Sequence, residues 1–279
     1  MTPLPRLNSR VSRGILAAIL LLVAVACHKE LVRWPNYLKT HFSIRHDWTD
    51  APNANPSVMK FIAFPTDDSQ MLEFGFTRKE GGEVDLAAGD YRGLSYNDDT
   101  ESLLTRGNTW DTFEIYTRET SLGNYSKLFG SSRSVPRGTG SENETIIEEP
   151  DMLWTGFAPE VLKAGENSNE TVTIRMQQSV FVYKFVIEGV ANLEFVTDII
   201  ATISGMSGSM FPSTGQASDT HYTIPVTVTK TGSTTLDCVV RSFGHCPQLE
   251  GVKQQGAPTT TSWYMPASPT ARSGTTTSM

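Results

Sequence analysis

Leu72-Glu73-Phe74-Gly75-Phe76-Thr77 puts an apolar side chain at every second position. An alternation with period two places those side chains on one face of an extended segment, so the stretch predicts a β-strand with one buried face. Upstream, the chain from Phe42 to Arg45 alternates in the same way, and Met59 to Phe64 forms a continuous apolar run. The first part of the chain is therefore predicted to consist of short strands.

The same pattern continues in the second half of the chain. Apolar residues alternate with polar ones from Thr171 to Met176 and again from Thr223 to Val228. Val180 to Val190 is nearly continuous apolar sequence, which predicts a strand covered on both faces. Short strands at this spacing, separated by turns, predict an all-β protein built as β-sandwiches.

Two polar stretches interrupt the strand pattern, at 130–140 and at 164–169. The first is interpreted as a surface loop and the second as a domain boundary. The predicted organisation is a signal peptide at 1–26, a lipidated tether at 27–40, an N-terminal β-sandwich at 41–163, a C-terminal β-sandwich at 170–257 and a low-complexity tail at 258–279.

The amino terminus has the three parts of an export signal. Three arginines, Arg6, Arg10 and Arg13, precede the apolar run Ile15 to Val25, and small residues follow it. Ala24-Val25-Ala26-Cys27 resembles the bacterial lipobox, in which a diacylglycerol is attached to the cysteine and the signal is cut before it. The resemblance implies that Cys27 carries the lipid.

Two other interpretations of this segment remain open. A membrane-spanning helix needs about 20 apolar residues, and the run is shorter than that. An ordinary secretory signal cut near Ala26 would leave Cys27 free. If Cys27 is lipidated, its acyl chains hold the mature protein on a membrane, because two or more chains give stable anchoring. An aspartate directly after the lipidated cysteine resembles an inner-membrane retention signal. His28-Lys29-Glu30 lacks that aspartate, so we expect an outer-membrane lipoprotein.

Composition excludes one class of partner and limits the role of disulfides. The chain has 279 residues, a net charge of −7 and 19% charged residues. Nucleic acid is not expected as a partner, because phosphate binding needs clustered Lys and Arg. Apart from Cys27 the chain has only Cys238 and Cys246. A disulfide between these two and a pair of reduced thiols are both open alternatives.

Two further stretches carry a family resemblance. With the lipobox and its tether, Gly81 to Arg92 and Ile203 to Ser209 resemble the Bacteroidales fimbrillin-associated anchor lipoproteins and a neighbouring uncharacterised lipoprotein family. The resemblance implies two tandem transthyretin-like β-sandwich domains on the outer membrane. It also implies a role as an anchor or assembly component of a fimbria-like structure, with fimbrial subunits as partners. Of the family's site residues, only Cys27 can be carried over.

A search for catalytic groups predicts a protein that is not an enzyme and holds no metal or cofactor. The histidines lack the spacing of a metal site, and the acidic groups at 98–101 and 148–151 are interpreted as solvated turns. Ser204 to Gly208 lacks the strand-to-helix turn of a serine nucleophile. A surface lipoprotein that binds glycans or another ligand is the alternative function, with loop aromatics as the platform. Its candidates are Trp110, Trp154 and Tyr125.

The tail is rich in Thr, Ser, Pro, Ala and Gly, which is typical of disordered low-complexity sequence. The genetic code allows a second interpretation. Read one base out of frame, the codons of Trp263 and Tyr264 must encode Val across their junction, and those of Met265 and Pro266 must encode Ala. Compatible codons spell two apolar-alternating strands around an Asp-Gly turn. We therefore expect a frameshift between Cys246 and Pro258, which would leave the C-terminal sandwich incomplete.

Overall fold

A computed structural model describes residues 39–120, 141, 143–165, 169–197 and 199–246, and the backbone of 260–264 and 274–277. This part of the chain is all-β, as predicted, with a 3-10 turn at Leu193–Phe195 and no α-helix. The strands are β1 Lys39–Asp47, β2 Met59–Pro65, β3 Leu72–Phe76, β4 Gly81–Ala87, β5 Gly89–Asn97, β6 Leu103–Arg106, β7 Glu114–Thr117, β8 Thr145–Ile146, β9 Trp154–Phe157, β10 Leu162–Ala164, β11 Asn169–Arg175, β12 Gln177–Gln178, β13 Phe181–Ile187, β14 Ile200–Ser207, β15 Ser209–Phe211, β16 Gln216–Ala217, β17 His221–Lys230, β18 Leu236–Ser242, β19 Thr260–Tyr264 and β20 Gly274–Thr277.

Two sheets enclose the first core cluster. One has the order β11-β1-β4, and the other has the order β12-β9-β5-β2-β3 with β10 paired to β5. Strand β1 shows the predicted alternation, because Phe42 and Ile44 are fully buried while Ser43 and Arg45 are not. The first core cluster contains Phe42, Ile44, Met59, Phe61, Ala63, Phe76, Val84, Leu86, Tyr91, Ala158, Leu162, Ala164, Ile174 and Met176.

Strand β2 explains why its sequence is apolar without interruption. Met59, Phe61 and Ala63 point into the first core cluster, and Ile62 and Phe64 point into a second cluster on the opposite face. Both faces of the strand are therefore buried, as a continuous apolar run requires. The second core cluster contains Ile62, Phe64, Leu94, Tyr96, Phe113, Ile115, Leu153, Val180, Met210 and Phe243.

Two more sheets complete the described fold. A four-stranded sheet has the order β16-β15-β7-β6, and a seven-stranded sheet has the order β13-β18-β17-β14-β19-β20 with β8 paired to β17. The larger sheet buries a third core cluster on one face. That cluster contains Ile147, Ala201, Ile203, Met206, Ile224, Val226, Cys238 and Val240.

Strand pairing crosses the boundary that the sequence analysis places between 163 and 170. Strand β11, which lies after that boundary, pairs in parallel with β1 over His41–Asp47. Strands β7 and β8, which lie before it, pair with β15 and β17. Strand pairs therefore run across 163–170, and whether this stretch separates two domains stays a prediction.

Strand β13 differs from the prediction that it is covered on both faces. It is the terminal strand of the seven-stranded sheet, and among the described residues it pairs with β18 alone. Tyr183, Phe185 and Ile187 pack against the third core cluster, whereas Val182 and Val186 are 43% and 59% exposed. In β13, therefore, one face of an apolar strand is buried and the other face is exposed to solvent.

In the tail, the backbone of 260–264 and 274–277 forms an antiparallel pair, and 261–264 pairs with 200–203 of β14. These strands flank residues 269–271, where the displaced frame is expected to encode an Asp-Gly turn. Whether the gene is frameshifted stays a prediction. Signal and tether, with Cys27, lie outside the described residues, and within those residues no helix is long and apolar enough to cross a membrane.

Candidate functional site

The two downstream cysteines are free thiols in the structure, which is one of the two alternatives that the sequence left open. Cys238 lies in the third core cluster, opposite Phe185 on β13. After Ser242 the chain does not return as a hairpin but runs beside β14, where the Cys246 thiol donates to the Thr220 carbonyl at 3.1 Å. Burial raises the pKa of the Cys246 thiol to about 12. Both thiols are structural groups, protonated and buried.

The histidines lie in separate environments, in agreement with a spacing that does not fit a metal site. On β1, His41 and His46 point to opposite faces. His41 bonds Asp85 through Nδ1 at 2.8 Å and contacts Glu83 through Nε2 at 3.2 Å. The two carboxylates thus lie on opposite sides of the ring and do not converge on one point. No group of three or more potential metal ligands occurs in the described ranges.

His46 lies in the interior of the protein and not on its surface. It is 8% exposed, and burial lowers the pKa of its imidazole below the ordinary value of 6.5. Its Nδ1 lies 2.9 Å from the Lys79 carbonyl and its Nε2 lies 3.0 Å from Ser95 Oγ. Since a carbonyl can only accept, the neutral ring donates from Nδ1 and accepts at Nε2.

The acidic groups also serve as structural partners. Asp99 accepts the Ser57 amide at 2.6 Å, and Asp98 contacts Lys60 Nζ at 3.0 Å. Glu149 and Asp151 both contact the guanidinium of Arg241, at 3.1 and 3.5 Å. Although burial acts to raise it, hydrogen bonds from the Ser102 and Glu101 amides and the charge of Arg241 hold the pKa of the Asp151 carboxyl below its ordinary value, so this carboxyl is not poised as a general acid.

Ser204 lies on β14 and not on a strand-to-helix turn. Its hydroxyl is 2.9 Å from the Thr223 hydroxyl. The pairing of β14 with β17 shifts between Ile203 and Met206, and Gly205 has φ 74° at that shift. The Ile203 to Ser209 stretch is thus a β-bulge, in which glycine supplies the left-handed conformation.

Of the three candidate platform aromatics, Trp154 and Trp110 fall within the described residues. Trp154 packs against Trp48, with ring centroids 6.4 Å apart, beside the first core cluster. Trp110 lines a cleft of about 190 Å³. Tyr125 lies outside the described residues.

The exposed edge of β13 is the surface that the sequence analysis missed. Phe181, Val182 and Val186 are 46%, 43% and 59% exposed. The outer backbone groups of a terminal strand have no ladder partner, and such an edge can add a strand from another chain. Lys184 stands on the exposed face between the two valines. A lysine at this place opposes antiparallel pairing of two copies about the strand centre, since the like charges would meet.

Sequence comparison identifies the family. The family described as a domain of unknown function, DUF5119, matches residues 26–227. The chain belongs to the DUF5119 family. This confirms the resemblance to an uncharacterised family next to the fimbrillin-associated anchors.

One curated relative of this DUF5119 protein carries the name "putative fimbrium anchoring subunit Fim4B" and comes from Bacteroides ovatus. It is 26% identical over 204 residues, which are 72% of this chain and 55% of the relative. The chain therefore spans about half the length of that relative.

Solved structures show the same fold. A crystal structure described as a "putative adhesin" from Bacteroides ovatus matches with a TM-score of 0.63 and 19% identity, over 85% of this DUF5119 chain and 82% of the other. The fimbrial anchor protein Mfa2 from Porphyromonas gingivalis matches with a TM-score of 0.50 and 12% identity, over 81% and 76% of the two chains. At these identities the likeness concerns the fold.

Proposed function

We propose that this DUF5119 protein is a non-enzymatic outer-membrane lipoprotein that anchors or helps to assemble a fimbria-like surface structure. The name of the Bacteroides ovatus relative supports this role, and so does the shared fold of the fimbrial anchor. The acyl chains on Cys27 hold the protein on the membrane, and fimbrial subunits are its partners. No cofactor takes part.

The structural observation that carries the proposal is the open edge of β13. An assembly subunit must offer a surface on which another chain can continue. Strand β13, whose outer backbone groups have no partner among the described residues and whose Val182 and Val186 are exposed, offers one. Backbone hydrogen bonds to an added strand supply affinity, and the alternate side chains supply selectivity. Lys184 favours an added strand that places a carboxylate opposite it.

The tether suits an anchor that stands close to the membrane. Residues 28–38 separate Cys27 from β1, the first strand among the described residues. A chain of this length, fully extended, reaches about 40 Å. The body is therefore held within about its own diameter of the bilayer, near the base of a surface filament.

The test replaces Cys27 in the organism that carries the gene. Cys27→Ala should abolish uptake of radiolabelled palmitate and move the protein from the membrane fraction to the soluble fraction. Fimbriae should then be shed into the medium, as counted by electron microscopy and by blotting of a fimbrial subunit. His28→Ala is the control, because it changes the neighbouring residue and keeps the thiol.

Two results would contradict the proposal. A wild-type protein that takes up no palmitate rules out lipidation of Cys27. The anchoring role is ruled out if the Cys27→Ala protein takes up no palmitate and the cells still keep fimbriae at wild-type numbers.

A further inference from the structure

Two clefts lie on either side of one aromatic pair. Trp110 lines a cleft of about 190 Å³ and Phe157 lines a second cleft of about 420 Å³. The two rings meet at right angles, with centroids 6.1 Å apart and an interplanar angle of 89°. Phe157 is 46% exposed, although it is a large apolar side chain. The pair, which we call the aromatic ridge, therefore joins the wall of one cleft to the wall of the other.

The ridge is fixed by the core below it. Trp110 packs edge to face with Phe64 of β2, with centroids 5.9 Å apart. Phe64 is itself 2% exposed and belongs to the second core cluster. The ring of Trp110 therefore cannot turn away without disturbing packed side chains.

The loop that carries Trp110 is also rigid. Gly107 has φ 82°, and a Cβ at this position would lie 2.0 Å from the Thr112 carbonyl oxygen, so only glycine closes the loop. The Phe113 amide donates to the Thr109 carbonyl at 2.9 Å, and the hydroxyls of Thr109 and Thr112 lie 2.6 Å apart. The smaller cleft thus has a preformed wall, which reduces the entropy lost when a ligand binds.

Polar side chains of the smaller cleft point to solvent with their hydrogen-bonding groups unused. Asp68, Asn108 and Asp111 line it. None of the three side chains makes a hydrogen bond or ion pair with another described residue. Arg92 lines the same cleft, with its guanidinium 5.6 Å from the Trp110 ring centroid. Two carboxylates, an amide and a guanidinium around the Trp110 ring are thus accessible to a ligand.

The larger cleft adds neutral groups. Thr173, Gln177 and Thr214 line it together with two prolines, Pro159 and Pro212. Its single charged lining residue is Arg175, which is bonded to Asp50 at 2.5 Å. The charge of that guanidinium is therefore already balanced within the protein.

The charges around the ridge select against ionic ligands. In the smaller cleft the carboxylates of Asp68 and Asp111 outnumber the guanidinium of Arg92. An anionic ligand is repelled by the two carboxylates, and Arg92 already lies over the Trp110 ring, on the face where a cationic ligand would stack. A ligand that is neutral, rich in hydroxyl groups and apolar on one face satisfies the exposed acceptors and donors and covers the exposed rings.

We propose that the aromatic ridge binds a neutral oligosaccharide, with sugar units in both clefts. The smaller cleft lies below the about 300 to 1,000 Å³ of pockets that enclose a whole small molecule. It takes a single ring and leaves the rest of the chain to cross Phe157 into the larger cleft. This binding is independent of the anchoring role, because neither cleft involves Cys27 or β13.

The experiment uses the purified mature protein on an array of neutral oligosaccharides from glucans, xylans, mannans and galactans, with sialylated and sulfated chains beside them. Calorimetry then gives the dissociation constant for the best neutral chain. Phe157→Ala and Asn108→Ala should each weaken binding by about tenfold or more, as expected when a stacking surface or a hydrogen bond is lost. Phe195→Ala is the matched control, since Phe195 is 65% exposed and lines neither cleft.

The outcomes separate the alternatives. The proposal is supported if the wild type and the control bind a neutral oligosaccharide that both cleft variants fail to bind. The thermal unfolding of the variants must then match that of the wild type. The proposal is overturned if no neutral chain binds, if anionic chains bind better at physiological salt, or if both cleft variants bind as the wild type does. An array result of either kind leaves the palmitate and fimbria experiment unaffected.

Discussion

His46 shows how one residue couples the fold to pH. Its imidazole is neutral in the folded protein, and burial holds its pKa below the ordinary value of 6.5. Folding must therefore exclude a proton that the unfolded chain binds below pH 6.5. The contribution of His46 to stability is complete above pH 6.5 and falls as the pH drops towards the pKa of the folded state.

We expect the free energy of unfolding to decrease between pH 6.5 and 5 with a slope of up to about 1.4 kcal/mol per pH unit from this residue, the limit for one proton. His46→Gln should remove that slope, as measured by urea unfolding at several pH values. His41→Gln is the matched control. The pKa of His41 is raised by Asp85 and Glu83, so its small contribution has the opposite sign, present below pH 6.5 and lost above it. A slope that is the same with and without His46 would show that this imidazole does not link folding to pH.

At the scale of strands, the sequence predicts those whose environment follows from their own pattern. Strand β1 alternates in sequence and in burial, and the run in β2 is buried on both faces. Strand β13 has a similar run but lies at an edge. Strands β2 and β13 differ in the strands and core clusters that neighbour them. Those neighbours are set by pairings between residues far apart in the chain.

The edge of β13 leads to a prediction about assembly. Val186→Lys should change stability by no more than about 0.5 kcal/mol, because a 59% exposed side chain makes few packing contacts. It should nevertheless reduce the number of fimbriae retained per cell, since it removes an exposed apolar side chain that an added strand would cover. Val161→Lys is the control, at a residue that is 42% exposed and outside β13. Equal retention in both variants would show that subunits do not dock along β13.

The tail illustrates a different limit of sequence analysis. Its composition predicts disorder, whereas the backbone forms two strands that extend the sheet at β14. Pairing with a preformed edge can order a segment whose own propensities are weak, since each added residue gains backbone hydrogen bonds. The frameshift predicted from the codons is decided by sequencing the gene. A displaced frame that encodes no hairpin would show the idea to be wrong.

For the whole molecule, the pairing of distant segments has consequences for cooperativity. The second core cluster joins Ile62 and Phe64 of β2 to Phe113, Met210 and Phe243. Two parts of the chain that the sequence analysis assigned to separate domains thus share one core. The apolar run at Met59 to Phe64 predicted a strand, but not the residues that this strand meets in the core. That information lies in the crossings of β7 and β11, which no local periodicity records.

Phe113 therefore offers a test of how the two halves depend on each other. It is 1% exposed and packs against Phe64 and Tyr96, with ring centroids 5.5 and 6.0 Å away. Phe113→Ala should cost about 3 to 5 kcal/mol, a large share of the about 5 to 15 kcal/mol that stabilises a typical domain. Hydrogen exchange should report the loss in β2 and in β15 alike, because the cavity opens in a core that both strands line. Phe195→Ala, at an exposed position, should leave exchange unchanged. Faster exchange confined to one of the two strands would mean that each half unfolds on its own despite the shared cluster.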